Sequence, residues 1–216
     1  KVITRMRLNR QAIVAVRGRP GVSIGNLAAV PERVVQFGEG NFLRSFADWM
    51  LDAMNGRGLF GGRVVVVQPI ERGTVDVLNA QDGLYTSILR GLQGGQVVEQ
   101  RQVITAISRG IDPYRDWNGF LAVAEQPELR FAVSNTTEAG IAYVDESRPS
   151  QQCPASFPAK VTAFLHRRFD RFRGDAGKGK SLSAFLVGKS IAASGGKAEA
   201  DVGGHQSNQE RDHLCN

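Results

Sequence analysis

Eleven residues, Val34-Val35-Gln36-Phe37-Gly38-Glu39-Gly40-Asn41-Phe42-Leu43-Arg44, constrain this chain more than any other stretch. Val34, Val35 and Phe37 read as a short buried strand. Gly38 lets the chain turn sharply with no Cβ clash. Gly40 leaves room for a backbone to approach a phosphate, and the helix after it would point free N–H groups at that phosphate. This is the logic of a dinucleotide-binding turn. The third glycine of that fingerprint is replaced by Leu43. The spacing alone fits an ordinary strand–turn–helix connection equally well.

The residues beyond the turn favour the dinucleotide-binding alternative. Phe42, Leu43, Phe46, Trp49, Met50, Ala53 and Met54 recur at helical spacing and predict one broad apolar face. Gly56 and Gly58 end that helix. Arg63–Gln68 then presents four consecutive valines between Gly61-Gly62 and Pro69, the mark of a strand buried on both faces of a parallel sheet. Strand, glycine turn, helix and buried strand make one βαβ unit.

Several runs carry a resemblance. Gln36–Arg44 resembles the signature of the polyol-specific long-chain dehydrogenases, the mannitol dehydrogenase family, and within it the branch of the tagaturonate reductases (altronate oxidoreductases). Val67–Glu71, Gln81–Thr86 and Phe131–Ile141 resemble the same family, the last most specifically. The similarity runs from about Pro31 to Phe172 and covers only the family's N-terminal, cofactor-binding domain. It implies a Rossmann-type α/β domain, a doubly wound, mostly parallel sheet, with NAD as cofactor. It implies hydride transfer between NAD(H) and a sugar acid in the intact family, with a second domain supplying an acid–base lysine. It places the cofactor on Val34, Val35, Gln36, Phe37, Gly38, Glu39, Gly40, Asn41, Phe42, Leu43, Arg44 and Ser45, with Glu71, Asn135 and Thr136.

Some of these roles have local alternatives. Arg44 either reaches the phosphates or substrate side or is a solvated helix residue. Asn135 and Thr136 either contact the nicotinamide ribose or cap a strand end. Glu71 is the nearest acid after the valine strand, but the usual ribose-binding position at the strand end is Gln68. The preference for NAD over NADP therefore rests on the resemblance, and Arg72 keeps NADP open.

The formal net charge of +6 raises a nucleic-acid reading, which its distribution opposes. Residues 1–33 hold seven basic groups against Glu32 alone, while 34–173 and 174–216 each balance. The leader has no interleaved aromatics to stack on bases. We expect residues 1–33 to be a loose basic leader, 34–173 the NAD-binding domain, and 174–216 a divergent, weakly structured tail. No apolar run approaches membrane-spanning length. Cys153 and Cys215 are expected as free thiols in a reducing cytoplasm, a disulfide between them being the alternative.

Further along, Val75–Asn79 reads as a short helix. Leu84–Leu89 and Gln96–Ile107 read as an inserted β-hairpin. Asp112-Pro113 opens a helix with Trp117, Phe120, Leu121 and Ala124 inward. Leu129–Val133 is another strand, ending in Ser134–Glu138. Pro158 opens a last helix over 159–172, with Arg167, Arg168, Arg171 and Arg173 outside. From Gly174 only Ser183–Val187 is apolar, and the family's next strand motif is missing, which suggests a frame change or truncation, a genuinely divergent terminus being the alternative. His166, His205 and His213 are isolated and match no zinc spacing. Lys160, Lys178, Lys180, Lys189 and Lys197 do not sit in the context of the family's catalytic lysine, so no catalytic residue is assigned; Glu138 and Lys160 are the nearest candidates.

Overall fold

The computed structural model describes residues 7–142, 144, 146, 152–173 and 185–188. In chain order the elements are α1 (Ile13–Val16), β1 (Val22–Ile24), β2 (Glu32–Phe37), α2 (Asn41–Ser45), α3 (Ala47–Gly56), β3 (Arg63–Val67), α4 (Val75–Ala80), β4 (Tyr85–Gln93), β5 (Gln96–Ile104), β6 (Ile107–Ile111), α5 (Trp117–Ala124), β7 (Phe131–Ser134), α6 (Phe157–Phe172) and β8 (Phe185–Gly188). A short 3-10 turn spans Glu138–Ile141.

Five strands form one parallel sheet in the order β6-β3-β2-β7-β8. Taken by chain position that is 3-2-1-4-5, the doubly wound order in which the chain reverses direction across the sheet between its first and fourth strands. The valine run explains why the sheet is covered on both faces. Val35 and Phe37 of β2 and Val65 and Val67 of β3 pack with Trp117, Phe120, Val123 and Phe164 of α5 and α6. The alternate residues Val34, Val64 and Val66 pack on the other side with Leu78, Tyr85, Ile104 and Ile107, backed by Trp49 and Leu51. Successive side chains of a strand point to opposite faces, so an all-apolar strand needs two cores.

The β4–β5 hairpin is antiparallel and continues through Leu92 opposite Val97. The β-rich run predicts a second hairpin strand as far as Ile107. The structure ends β5 at Ile104 and uses Ile107–Ile111 as β6, the third strand of the main sheet.

The expectation of a loose leader does not hold for residues 7–30. Val22–Ile24 forms β1 and adds a parallel strand to β5, with Val22 opposite Arg101 and Ile24 opposite Val103. Ile13 is buried with Leu84 and Val103, and Leu8, Val16 and Leu27 pack against them. These apolar residues have no period of their own among the arginines. The edge of β5 recruits them, which is a tertiary effect. Ile13 is 3% exposed and its neighbour Val14 is 72% exposed. Ile13→Ala is therefore expected to cost about 2–4 kcal/mol and Val14→Ala to stay within about 0.5 kcal/mol, compared by urea unfolding. Equal effects would detach this segment from the fold.

The expected tail also contributes an element, since β8 pairs in parallel with β7. The rest of residues 174–216, including His205, His213 and Cys215, lies outside the described residues.

The first helix differs most. Phe46, at φ −116°, ψ −69°, divides it into α2 and α3. The expected single apolar face is split: Leu43 is buried and Trp49 packs on the sheet, while Phe42, Phe46, Met50 and Met54 are 38–51% exposed. The buried residues of α3 are instead Asp48, Asp52 and Asn55. Each finds partners outside its own helix. Asp52 accepts from the Thr105 N–H (2.9 Å), the Thr105 hydroxyl (2.7 Å) and Gln102 Nε2 (2.8 Å). Asn55 exchanges two hydrogen bonds with the backbone of Gly62.

Two later helices are corrected as well. Asp112 caps only a turn, accepting from the Tyr114 N–H, and the true cap of α5 is Asp116, which accepts from the Gly119 N–H at 2.8 Å. On α6, Ser156 caps the start at the Ala159 N–H, so the helix begins at Phe157. Arg168, expected outside, is buried. Its guanidinium donates to the carbonyls of Ala124, Gln126 and Leu129, closing the C-terminal end of α5.

Candidate functional site

The carboxyl ends of β2 and β7 are neighbours in the sheet, with Phe37 opposite Ser134. The turn after β2 and the segment after β7 therefore face one another across a cleft of about 220 Å³. Phe37, Gly38, Gly40, Phe42, Asn135 and Thr136 line it, so the topology gathers residues about a hundred positions apart in the chain. This is where ligands of open α/β sheets sit.

The two glycines have different physical grounds. Gly38 has φ +116°, a conformation that side-chain-bearing residues rarely adopt, so the turn itself requires it. Its N–H donates to the Val67 carbonyl at 2.9 Å, tying the turn to β3. Gly40 has φ −65° and ψ 155°, which any residue adopts. A Cβ there would meet nothing within 4 Å. The fold itself asks little of Gly40 beyond its place as the N-cap of α2, where glycine is favoured over valine, and the position faces the cleft.

Asn41, Phe42 and Leu43 make the first turn of α2. Leu43 is buried and stands beside Gly38 where the fingerprint's third glycine would be. Because α2 has only five residues, its backbone N–H groups matter more here than a helix dipole. Arg44 Nη2 donates to Asn41 Oδ1 at 2.6 Å, and its guanidinium lies 5.4 Å over the Tyr85 ring. Ser45, the last residue of α2, is exposed. Glu39 turns back and accepts from the Thr74 N–H at 3.0 Å, bracing the loop after β3.

Val34, Val35 and Gln36 lie beneath the cleft rather than in it. Val34 and Val35 are core residues, one to each side of the sheet. Gln36 is fully buried and donates to the Gly38 carbonyl at 3.0 Å. At the end of β3, Gln68 is also buried and donates to the Glu71 carbonyl at 3.0 Å. The side chains of Glu71 and Arg72 are exposed in the same loop. Across the cleft, Ser134 and Thr136 share a 2.5 Å hydroxyl contact, and Thr136 packs against Gly140.

Sequence reasoning missed what lies under the turn. Asp48 Oδ2 is 3.4 Å from Gln36 Nε2 and 3.3 Å from Tyr85 Oη, and Tyr85 Oη is also 2.7 Å from the Arg44 carbonyl. Burial pushes the Asp48 carboxyl up to about 7. The signal in the sequence was an acid at the fourth residue after Arg44, on the face of the helix opposite the apolar stripe.

Lys160 is also buried. Its ammonium donates to Tyr114 Oη (2.9 Å) and to the carbonyls of Ala155 (2.7 Å) and Ser156 (3.5 Å), and burial lowers its pKa. All three of its N–H donors are occupied by the protein. Glu138 is exposed in the 3-10 turn. Among the described residues, no group of three or more His, Cys, Asp or Glu gathers as a metal site, and no helix is long and apolar enough to cross a membrane.

Strand order, a glycine turn after the first strand and a cleft at the reversal point together define a Rossmann-type α/β domain. The family model for the mannitol dehydrogenase Rossmann domain matches residues 32–182, and the chain belongs to the mannitol dehydrogenase family. Altronate oxidoreductase of Bacteroides thetaiotaomicron is 53% identical over 150 residues, and that of Bacillus subtilis 46% over 149. Each match covers 69% of this chain and 31% of the relative, so the chain spans about a third of the length of these curated relatives. Among solved structures, Pseudomonas fluorescens mannitol 2-dehydrogenase, in ternary complex with NAD and D-mannitol, superposes with TM-score 0.65 at 20% identity. A substrate-free D-sorbitol dehydrogenase superposes with TM-score 0.63 at 17% identity. Both superpositions cover 85% of this chain and 39% of the other, and they show the shared fold.

Proposed function

We propose that this chain is the dinucleotide-binding part of an NAD-dependent oxidoreductase of the altronate (tagaturonate reductase) type. The observation that carries the reading is Gly40, a glycine with an ordinary backbone and open space facing the cleft. The relatives' names and the family's Rossmann domain support it.

In this reading the pyrophosphate lies against the Gly38–Arg44 turn, held by the N–H groups of Asn41, Phe42 and Leu43. Val34, Val35, Gln36 and Phe37 shape the floor, Glu39 fixes the neighbouring loop, and Ser45 closes the first helical turn. Asn135 and Thr136 meet the nicotinamide ribose, and the loop with Glu71 faces the adenine-side ribose. The bound nicotinamide supplies the hydride acceptor or donor; the chain's own residues bind and orient it. The substrate of the whole enzyme is a sugar acid, which fits a cytoplasmic protein of hexuronate metabolism.

A non-catalytic binding role for this chain is favoured by Lys160, whose three donors are all engaged inside the protein. The chain is then expected to bind NADH without oxidising it in the presence of tagaturonate. Calorimetric titration with NADH and NADPH, beside an NADH-oxidation assay, tests both points. Binding of NADH in preference to NADPH is the expected result. No binding of either would overturn the assignment, and steady turnover would require a proton donor within residues 34–173.

A further inference from the structure

The buried contacts beneath the glycine turn fix a protonation state. Tyr85 Oη owns one proton and has two oxygen neighbours, the Arg44 carbonyl at 2.7 Å and Asp48 Oδ2 at 3.3 Å. A carbonyl can only accept, and it is the closer, so it takes the tyrosine proton. The contact between Tyr85 and Asp48 is then a hydrogen bond only when Asp48 itself carries a proton. Gln36 is compatible with that state. Its Nε2 donates to the Gly38 carbonyl and to Asp48 Oδ2, which leaves Asp48 free to be acceptor on one side and donor on the other. The second oxygen, Asp48 Oδ1, is buried and accepts no hydrogen bond among the described residues. An ionised carboxylate would leave a charged oxygen bare in the core, an arrangement of high cost.

The charged groups around it act in both directions. Arg44, from α2, and the neighbouring hydrogen-bonding groups Gln36, from β2, and Tyr85, from β4, favour the ionised form; Asp52, one turn along α3, disfavours it. Burial outweighs them all, in the direction the geometry requires.

We propose that Asp48 is a positioning residue that holds both ends of the glycine turn as a neutral acid, and that its ionisation weakens dinucleotide binding. It reaches the Gly38 end through Gln36 and the Arg44 end through Tyr85. The inference rests on the dinucleotide-binding reading. Ionisation removes the proton that joins Asp48 to Tyr85 and puts a negative charge beneath the place where the pyrophosphate lies. By linkage, a bound dinucleotide raises the pKa of Asp48 further, so binding takes up a fraction of a proton near neutral pH.

The test is NADH affinity against pH for the natural protein, Asp48→Asn and Tyr85→Phe. The natural protein is expected to lose roughly tenfold in affinity between pH 6 and pH 8.5, the factor carried by one unit of pKa shift. Asp48→Asn, permanently neutral but able to keep only one of the two contacts at that atom, is expected to bind with an affinity that does not change between pH 6 and pH 8.5. Tyr85→Phe removes the acceptor of the Asp48 proton and should move the fall in affinity to lower pH. Calorimetry in buffers of different ionisation enthalpy should show proton uptake for the natural protein and none for Asp48→Asn. Failure of the natural protein to bind NADH at any pH would overturn the binding reading and this inference with it. Binding with the same pH profile in the natural protein and Asp48→Asn would overturn this inference alone.

Discussion

Gly40→Val is expected to lower NADH affinity by about 100-fold or more, roughly 2.7 kcal/mol, with little loss of fold stability. The reasoning is local. Valine adopts φ −65°, ψ 155° without strain, and a Cβ at this position finds open space. The unfavourable term within the protein is the weaker helix cap that valine makes compared with glycine, about 1 kcal/mol at most. In the cleft, the branched side chain occupies the space through which a pyrophosphate must come to reach the N–H groups of α2. Gly38→Val should behave differently. With φ +116° it strains the turn itself, so stability and binding fall together. Calorimetric titration and thermal unfolding on the two variants separate the cases. If Gly40→Val binds NADH normally, the phosphate does not lie at this turn.

The largest loss of stability is expected from Phe120→Ala. Phe120 is fully buried where α5 and α6 close over the sheet. Its ring lies 5.1 Å from Trp117, 5.3 Å from Phe164 and 6.2 Å from Phe37. Truncation removes an aromatic body and leaves a cavity under two helices, at about 3–5 kcal/mol. That is a large part of the roughly 5–15 kcal/mol of a typical domain. Urea unfolding should show a lower midpoint with an unchanged slope. Phe37 lines the cleft as well as the core, so some loss of cofactor affinity is expected to accompany it. A cost below about 1 kcal/mol would mean that α5 and α6 repack freely over the sheet.

The parts of the fold that were legible in the sequence are those fixed by short-range rules. Four valines in a row announce a strand with two buried faces, and β3 is that strand. Gly38 announces a turn that only glycine makes easily. The helix after it was harder. Periodicity at Phe42, Phe46, Met50 and Met54 shows that those residues share a face, but it does not show which way that face points. The direction is set by partners that Asp48 and Asp52 find far along the chain, in Tyr85, Gln102 and Thr105, and that Asn55 finds in the loop at Gly62. Arg168 misled for the same reason, because the carbonyls it caps belong to another helix and its loop. The leader escaped notice because Ile13 and Val22–Ile24 gain their order only against the hairpin. Of the cleft, the turn was readable and so was the polar end of β7; the buried acid beneath it was not.

The outward stripe on α2 and α3 has a consequence for how the molecule behaves in solution. Two stacked phenylalanine rings, Phe42 and Phe46, continue into Met50 and Met54 as an oily ridge that begins at the mouth of the cleft. Water gains nothing by wetting such a ridge, and the buried acids on the opposite side prevent the helix from rolling over to hide it. The ridge therefore stays on offer to any apolar surface that meets it. Its cost is therefore a hydration cost, carried on the surface so that three polar side chains of α3 can be buried with their hydrogen bonds made.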